Sequence, residues 1–457
     1  MKSMLQFIKT CVSQNKKIAL SGIFILTLVP TLYLRFSQAI VFDILFGYDG
    51  QCHLQYIIDL YKKRSLPSPL LLLEGYQPPL YYFFSSLIMH FTTDFGEPAH
   101  ITLKLLSVST GLLLFACACK TYRYMHSLFG NSRLPLAYGV IFMAYLPVHL
   151  YISPMVTNEL LSSFLISVAL FFTVRCIERN DYSLRSGAVL GCILGLSLLT
   201  KYTGLIMATC VAVALCVLIL TTRKHRKTIA GFAVVCFAVT ILISGWWYVR
   251  NAVKYGDPLI TSAGLTEFNH IYEKMPPGNR LLSDFITFDR RVFHNPMLAQ
   301  RDDRRLFNPV YRNILTGTLA TIWIENHNLY LRISDKTGYA VAGCLLTIGL
   351  ISTLYMIAGF LLFIRKSWAV RNFSSLPVII LPPLSLAAYI FFNIQHPYFC
   401  HIKAIFLLHL FIPAILGYCY ASHWVIKRNV IAVVLHHAVL AAQILLVILL
   451  YGLYSRY

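Results

Sequence analysis

Residues 186–221 read SGAVLGCILGLSLLTKYTGLIMATCVAVALCVLILT, with Lys201 the one charged side chain in the stretch. Two apolar runs, 186–201 and 203–221, meet at that lysine, and the basic cluster Arg223, Lys224, Arg226 and Lys227 follows the second. A membrane-spanning helix needs about 20 mostly apolar residues, within a range of about 17–25. The stretch reads as a helical hairpin that crosses a bilayer, turns at Lys201 and crosses back.

The rest of the chain has the same character. Of 457 residues, 57% are hydrophobic and 12% are charged, and the mean hydropathy is +0.66. Soluble domains run at roughly 45–50% apolar and about 25% charged, so a string of soluble domains is excluded. The twelve cysteines form no CxxC pair. Most of them, such as Cys117, Cys192, Cys210 and Cys236, lie inside apolar runs where thiols act as small hydrophobes. No internal repeat and no strand pattern is visible.

Eleven spans are expected: 18–40, 101–119, 135–152, 159–175, 186–201, 203–221, 229–249, 338–364, 376–393, 404–421 and 430–453. The first reads as a retained span rather than a cleaved signal. Lys and Arg gather in short cytoplasmic loops, and here six inter-span segments hold 19 basic residues against Glu178 and Asp181 alone. These six are the amino-terminal Lys2–Lys17 segment and the clusters beginning at Lys120, Arg175, Arg223, Arg365 and Lys427. They account for 17 units of the +21 formal charge. The excess is thus read as topology, with no nucleic-acid partner. It places the amino terminus in the cytoplasm and the carboxyl terminus outside. The stretch 79–91, PLYYFFSSLIMHF, is too short to span and reads as re-entrant or interfacial.

The expected fold is therefore an all-α polytopic membrane protein forming a single integral domain, 1–457. It has outer loops at 41–100 and 250–337 and no soluble carboxyl-terminal domain. The second loop, with Pro276-Pro277-Gly278 and Arg301-Asp302-Asp303-Arg304-Arg305, should carry short helices, because structureless loops of that length are uncommon.

Ionisable groups at membrane depth mark functional sites by default, and the topology gathers several at the outer helix ends. Asp49 and His53 follow the first span in YDGQCHLQY and share a face if that stretch is helical. Asn158 and Glu159 open span four, Lys201 closes span five, Arg250 and Asn251 close span seven, and Lys403 opens span ten. Each has a plainer reading. Asp49 fits a solvated loop acid or a helix cap, and Glu159 fits an acid at a helix start. Lys201, Arg250 and Lys403 fit snorkelling cations, and His53 fits a satisfied helix residue. The segment Gln77-Pro78-Pro79 fits a rigid lead into a helix, and Trp246-Trp247-Tyr248 fits an interfacial belt. None decides alone.

Together they form a pattern. YDGQCHLQYIIDLYKKRSLPSP and EGYQPPLYYFF, then SPMVTNELLSSF, LLTKYTGL, WWYVRNAVKYGDPL and, more weakly, HIKAIFLLHLFIPA resemble the GT-C glycosyltransferases. The resemblance is to the polyprenyl-phosphate-sugar-dependent group of protein O-mannosyltransferases and aminoarabinose transferases (glycosyltransferase family 39). It implies that Asp49 is the catalytic base or its organiser, and that Glu159 is a second acid engaging acceptor or metal. It implies donor-phosphate cations at Lys201, Lys403 and Arg250. The substrate pocket would be lined by Tyr76, Gln77 and Pro78, with Gln51, His53, Asn158 and Asn251 alongside. Two departures stand out. Gln51 lies where relatives often carry a second acid, and Lys403-Ala404-Ile405-Phe406 lies where they commonly read Lys-x-Arg-Tyr.

The implied activity is a hexosyltransferase. A sugar passes from an undecaprenyl- or dolichyl-type phosphate donor to a hydroxyl of a glycan, lipid or protein acceptor by an inverting single displacement. A positioned carboxylate accepts the hydroxyl proton, and Lys or Arg stabilises the leaving phosphate in a water-poor site. A divalent metal is compatible with these side chains and not required by them. The site would face the outside of a bacterial inner membrane or the lumen of the endoplasmic reticulum. The rivals are a flippase of lipid-linked substrate, which would show repeats and broken midplane helices, and a catalytically inactive GT-C relative. The segment 260–337, to which the resemblance does not extend, is expected to shape acceptor access.

Overall fold

The computed structural model of the protein describes residues 24–92, 96–272, 281–297, 312–327 and 329–455. The Lys2–Lys17 cluster, Asp94, Pro276-Pro277-Gly278 and the Arg301–Arg305 run lie outside the described residues. Within them the chain forms seventeen α-helices, and a bridge pairs Leu331 with Ser455. The first four helices are α1 (Phe24–Val41), α2 (Gly50–Lys63), α3 (Leu80–Phe91) and α4 (Glu97–Tyr124). Then come α5 (Leu134–Ala144), α6 (Pro147–Tyr151), α7 (Glu159–Arg179), α8 (Leu184–Leu198), α9 (Gly204–Thr221) and α10 (Arg226–Tyr255). The second loop contributes α11 (Asn269–Tyr272), α12 (Leu282–Ile286) and α13 (Ile314–Trp323). The chain finishes with α14 (Lys336–Ala369), α15 (Leu376–Gln395), α16 (Phe411–Ile426) and α17 (Val430–Leu453).

Nine of the helical segments among the described residues are long and apolar enough to cross a membrane. The expected spans 135–152 and 186–201 are not among them. The first is broken because Pro147 has no amide hydrogen, and Leu146 before it is extended at φ −79°, ψ 113°. Side chains of α1 satisfy the carbonyls freed there. Thr31 Oγ1 donates to Ala144 O at 2.8 Å, Arg35 Nη2 donates to the same oxygen at 3.1 Å, and Arg35 Nη1 donates to His149 O. The second, α8, is a helix of 15 residues, about 22 Å long. It nonetheless runs back along α7: it starts beside Asp181, which accepts from Ser186 Oγ, and ends where Asn158 Nδ2 donates to Thr200 O.

α8 can lie this close to its neighbours because of Gly187, Gly191 and Gly195, spaced four apart on the face toward α10. A Cβ at Gly191 would fall on the Cys236 carbonyl, and one at Gly195 would sit 2.8 Å from Ile243 Cβ. Thr240 Oγ1 donates to Gly191 O at 3.2 Å across the seam. Small residues four apart are how membrane helices bring backbones together where no hydrophobic drive exists. The seam fixes the end of α8, and thereby Lys201.

α2 and α3 are too short to span and pack on each other, with Tyr56 stacked on Tyr82 at 3.8 Å between ring centroids. α2 buries His53, Leu54, Tyr56 and Ile57 and leaves Gln51 and Gln55 exposed. This is the amphipathic pattern of a helix lying on the end of a bundle.

Substituting Gly191→Leu should force α8 off α10 and destabilise the protein by about 1–3 kcal/mol. A thermal melt in detergent should show a lowered midpoint, while Leu at Gly452, where a Cβ meets open space, leaves the α8–α10 seam untouched.

Candidate active site

The site is assembled where four chain segments meet. Glu159 begins α7 and Lys201 follows α8, and the Lys201 Nζ donates to Glu159 Oε1 with both side chains buried. Beside the pair, Asn158 Nδ2 donates to Gln77 Oε1 at 3.1 Å and to Thr200 O at 3.2 Å. Gln77 Nε2 donates to Tyr76 Oη at 2.9 Å, and its carbonyl accepts from Tyr56 Oη at 3.2 Å. Tyr202 Oη donates to Tyr76 O at 3.2 Å, and the Leu80 amide donates to Leu199 O at 2.9 Å. The TNE, YQPP and LLTKY segments are thus stitched together by polar groups withdrawn from water. Such groups are costly unless partnered, so the network fixes one arrangement.

Asp49 stands at the rim. Its backbone is left-handed at φ 56°, ψ 24°, and it caps α2 without a side-chain hydrogen bond. A non-glycine residue held there stores strain of the kind found at functional sites, and here the result is an exposed carboxylate not used for capping. Glu74, seven-tenths of the way along the loop between α2 and α3, is buried, with its Oε2 atom lacking a hydrogen-bond partner. Burial, reinforced by Asp49, pushes its carboxyl up to about 8. One acid is thus buried with a raised pKa and the other is exposed, and such an asymmetry can separate two roles.

His53 is buried behind Asp49, with its Nδ1 2.7 Å from Tyr82 Oη. Burial lowers its pKa to about 4; Asp49 opposes this, while Lys201 and Lys403 add to it. The imidazole is neutral at physiological pH. Gln51 is exposed on α2, and Pro78 is buried at the start of the α3 segment.

The three expected cations differ in what already holds them. The ammonium of Lys201 is bonded to Glu159 and faces the Phe406 ring at 5.3 Å. Arg250 donates to Asn251 Oδ1 at 2.9 Å and lies over Trp247 at 4.8 Å and Tyr255 at 5.5 Å. It joins the network one layer out, through Asn251 and Tyr202, whose side chains are 3.4 Å apart. Lys403 is buried, with its ammonium over the Tyr48 ring at 4.4 Å. No carboxylate among the described residues lies within ion-pair distance of it.

The sequence reading omitted Glu74 from the site and missed a second element beside Lys403. Glu325, fully buried, accepts from the amides of His327, Leu329, Tyr330 and Leu331 at 2.8–3.3 Å. This ties the loop after α13 under Tyr48, whose hydroxyl is 3.4 Å from His327 Nδ1. Burial, and then the Lys403 charge, holds His327 well below the usual imidazole range. Glu74 had a signal in the sequence, since it stands two residues before Tyr76 in EGYQPP. Glu325 had none. No three His, Cys, Asp or Glu side chains among the described residues are grouped as a metal ion's ligands would be.

Removing one member of the buried pair strands the other. Lys201→Met should destabilise by about 3–5 kcal/mol, and Lys201→Met with Glu159→Gln by less; melting the two variants side by side measures this. Glu74 binds its proton more tightly folded than unfolded. Its stabilisation is therefore complete below about pH 4.5 and is lost as the pH rises toward 8. His53 acts oppositely, its contribution disappearing as pH falls from about 6.5 to 4. Between pH 6.5 and 8 the Glu74 slope is free of His53, and Glu74→Gln should flatten the decline of melting temperature there.

Residues 76–248 match the family model described as dolichyl-phosphate-mannose-protein mannosyltransferase. The match includes Tyr76, Gln77, Asn158, Glu159 and Lys201 and covers less than half of the chain. No curated protein matches in sequence. Among solved structures, the oligosaccharyltransferase of Archaeoglobus fulgidus in the apo form is similar at 15% identity and a TM-score of 0.56, covering 95% of this chain and 56% of that one. The same organism's AglB, in complex with an inhibitory peptide and a dolichol-phosphate, gives 15% identity and a TM-score of 0.55 over 96% and 56%. ArnT of Cupriavidus metallidurans bound to undecaprenyl phosphate gives 14% identity over 88% and 78%, at a TM-score of 0.40. The chain spans just over half the length of the archaeal enzymes. It is an integral membrane protein of the GT-C fold whose 76–248 segment resembles the protein mannosyltransferases.

Proposed function

We propose that the protein is a membrane glycosyltransferase that moves a sugar from a polyprenyl-phosphate donor to an acceptor hydroxyl by inverting single displacement. One observation carries the reading. An exposed carboxylate, Asp49, and an ammonium with no acid partner, Lys403, stand at the same end of the bundle around a fixed Glu159–Lys201 pair. The dolichol-phosphate recorded with the archaeal structure of this fold supports the donor class.

In the proposed step the acceptor oxygen attacks the anomeric carbon while Asp49 takes its proton. The bond from that carbon to the phosphate oxygen breaks, and polyprenyl phosphate leaves carrying the electron pair. Lys403 meets the charge developing on the phosphate, in a site dry enough for one ammonium to count heavily. Lys201, already neutralised, acts by holding Glu159 in place, and Glu159 with Asn158 and Gln77 shapes the acceptor side. Glu74, protonated at neutral pH, donates to substrate or water rather than competing with Asp49 as a base. Arg250 with Asn251 borders the route by which the isoprenoid lies in lipid.

The charge distribution supports an outer or lumenal site, because the basic clusters lie at the opposite helix ends. Glu159 starts α7 and Arg175 and Arg179 end it. The second outer loop supplies Glu325 and His327 beside Lys403, which supports a part for it in the site as well as in acceptor access.

With purified protein, a polyprenyl-phosphate hexose and a hydroxyl acceptor, the wild type should release polyprenyl phosphate and form a glycoside of inverted configuration. Asp49→Asn should lower turnover by about 10²–10⁴-fold with the fold intact. Lys403→Met should lower kcat/KM for the donor by about tenfold to a hundredfold, as loss of a hydrogen bond to a charged group does. Passage of the donor across the bilayer without cleavage of its sugar–phosphate bond would contradict the reading and favour a flippase.

A further inference from the structure

At the end of the bundle away from the site, α4 and α7 finish side by side. A cavity of about 530 Å³ opens between them, lined by Lys120, Arg123, Tyr124, Phe171, Phe172, Arg175 and Arg179. Such a volume is that of a small-molecule site. Three of the four cations rest on rings of the opposite helix or their own: Lys120 on Phe171 at 5.9 Å, Arg175 on Phe172 at 5.2 Å and Arg179 on Tyr124 at 5.5 Å. Among the described residues only Arg175 has an acid near it, Asp181 at 3.9 Å. Among the described residues Lys120, Arg123 and Arg179 have no carboxylate partner, and Glu178, the one acid on this end of α7, pairs with none of them.

Topology explains why cations stand at this end, and the helix dipole favours them at two carboxyl termini. Neither explains why four converge on one cavity from two helices, three of them seated on aromatic rings that limit their freedom. We propose that this cavity binds the phosphate headgroup of an anionic membrane phospholipid. Converging Arg and Lys donors suit phosphate oxygens, and basic pockets between membrane helices take such headgroups. The aromatic wall distinguishes a lipid from free phosphate. Phe171 and Phe172 lie in the apolar segment Glu159–Arg179, which is long enough to cross a membrane, so acyl chains would run beside that helix below the headgroup.

Native mass spectrometry of the full chain in detergent, titrated with phosphatidylglycerol and with phosphatidylcholine, tests this. The wild type should hold one phosphatidylglycerol at least tenfold more tightly than phosphatidylcholine. Each cation removed should weaken it about fivefold, so Arg123→Gln with Arg179→Gln should lose about 25-fold. Lys224→Gln with Lys227→Gln, at the same end but outside the cavity, should leave binding unchanged. Lys120→Gln, an exposed position, should lose about fivefold and serves if the double variant is poorly folded. Equal retention of the two lipids, equal loss in the Lys224/Lys227 variant, or displacement of the lipid by millimolar inorganic phosphate would overturn the proposal.

Discussion

The contact on which the rest depends is the buried ion pair between Glu159 and Lys201. Two charges taken out of water cost several kcal/mol each, and their attraction offsets this only when the geometry is good and neighbouring groups are satisfied. Here the Asn158–Gln77–Tyr76 chain and the Thr200 carbonyl supply hydrogen bonds beside the pair through Asn158 Nδ2 and Gln77 Nε2. α7, α8 and the lead into α3 are therefore locked at one height, and α8 can reach that height with only 15 helical residues because its glycine face lies against α10. The pair sets the frame and leaves other groups to do chemistry.

That division of labour explains the contrast among the charged side chains. Lys201 and Glu159 neutralise each other, Glu325 is spent on four backbone amides, and Arg35 is spent on the carbonyls freed at the α5–α6 break. Asp49 and Lys403 are left without such partners, one on a strained turn and the other over a tyrosine ring. On the proposed reading, this carboxylate and ammonium would receive a substrate with a proton to lose at one end and a phosphate to release at the other. At the far ends of α4 and α7 the same logic recurs in simpler form, with cations seated on rings and open to an anion.

Much of this was legible in the sequence, for reasons that differ by element. Apolar length and the bias of Lys and Arg to alternate loops mark the bundle, because insertion into lipid constrains composition directly. The break at Pro147 has a visible cause, whereas the shortness of α8 depends on how α10 packs and does not show in 186–201 itself. Asp49, Glu159, Lys201 and Lys403 could be picked out as residue types at helix ends. Which cation would be paired could not, since Glu159 and Lys201 are 42 positions apart and nothing local links them. Glu74 looked like a loop acid until three segments closed over it. Glu325 and His327 sat in a stretch without recognisable motifs, and their place beside Lys403 is purely tertiary.

A structure of the protein with bound polyprenyl phosphate tests the central claim most directly. The account predicts a phosphate oxygen about 3 Å from Lys403 Nζ, with the Glu159–Lys201 pair intact and Asp49 facing the vacated sugar position. A phosphate seated instead on Lys201, with Glu159 displaced, or out at Arg250 and away from Asp49, would contradict it.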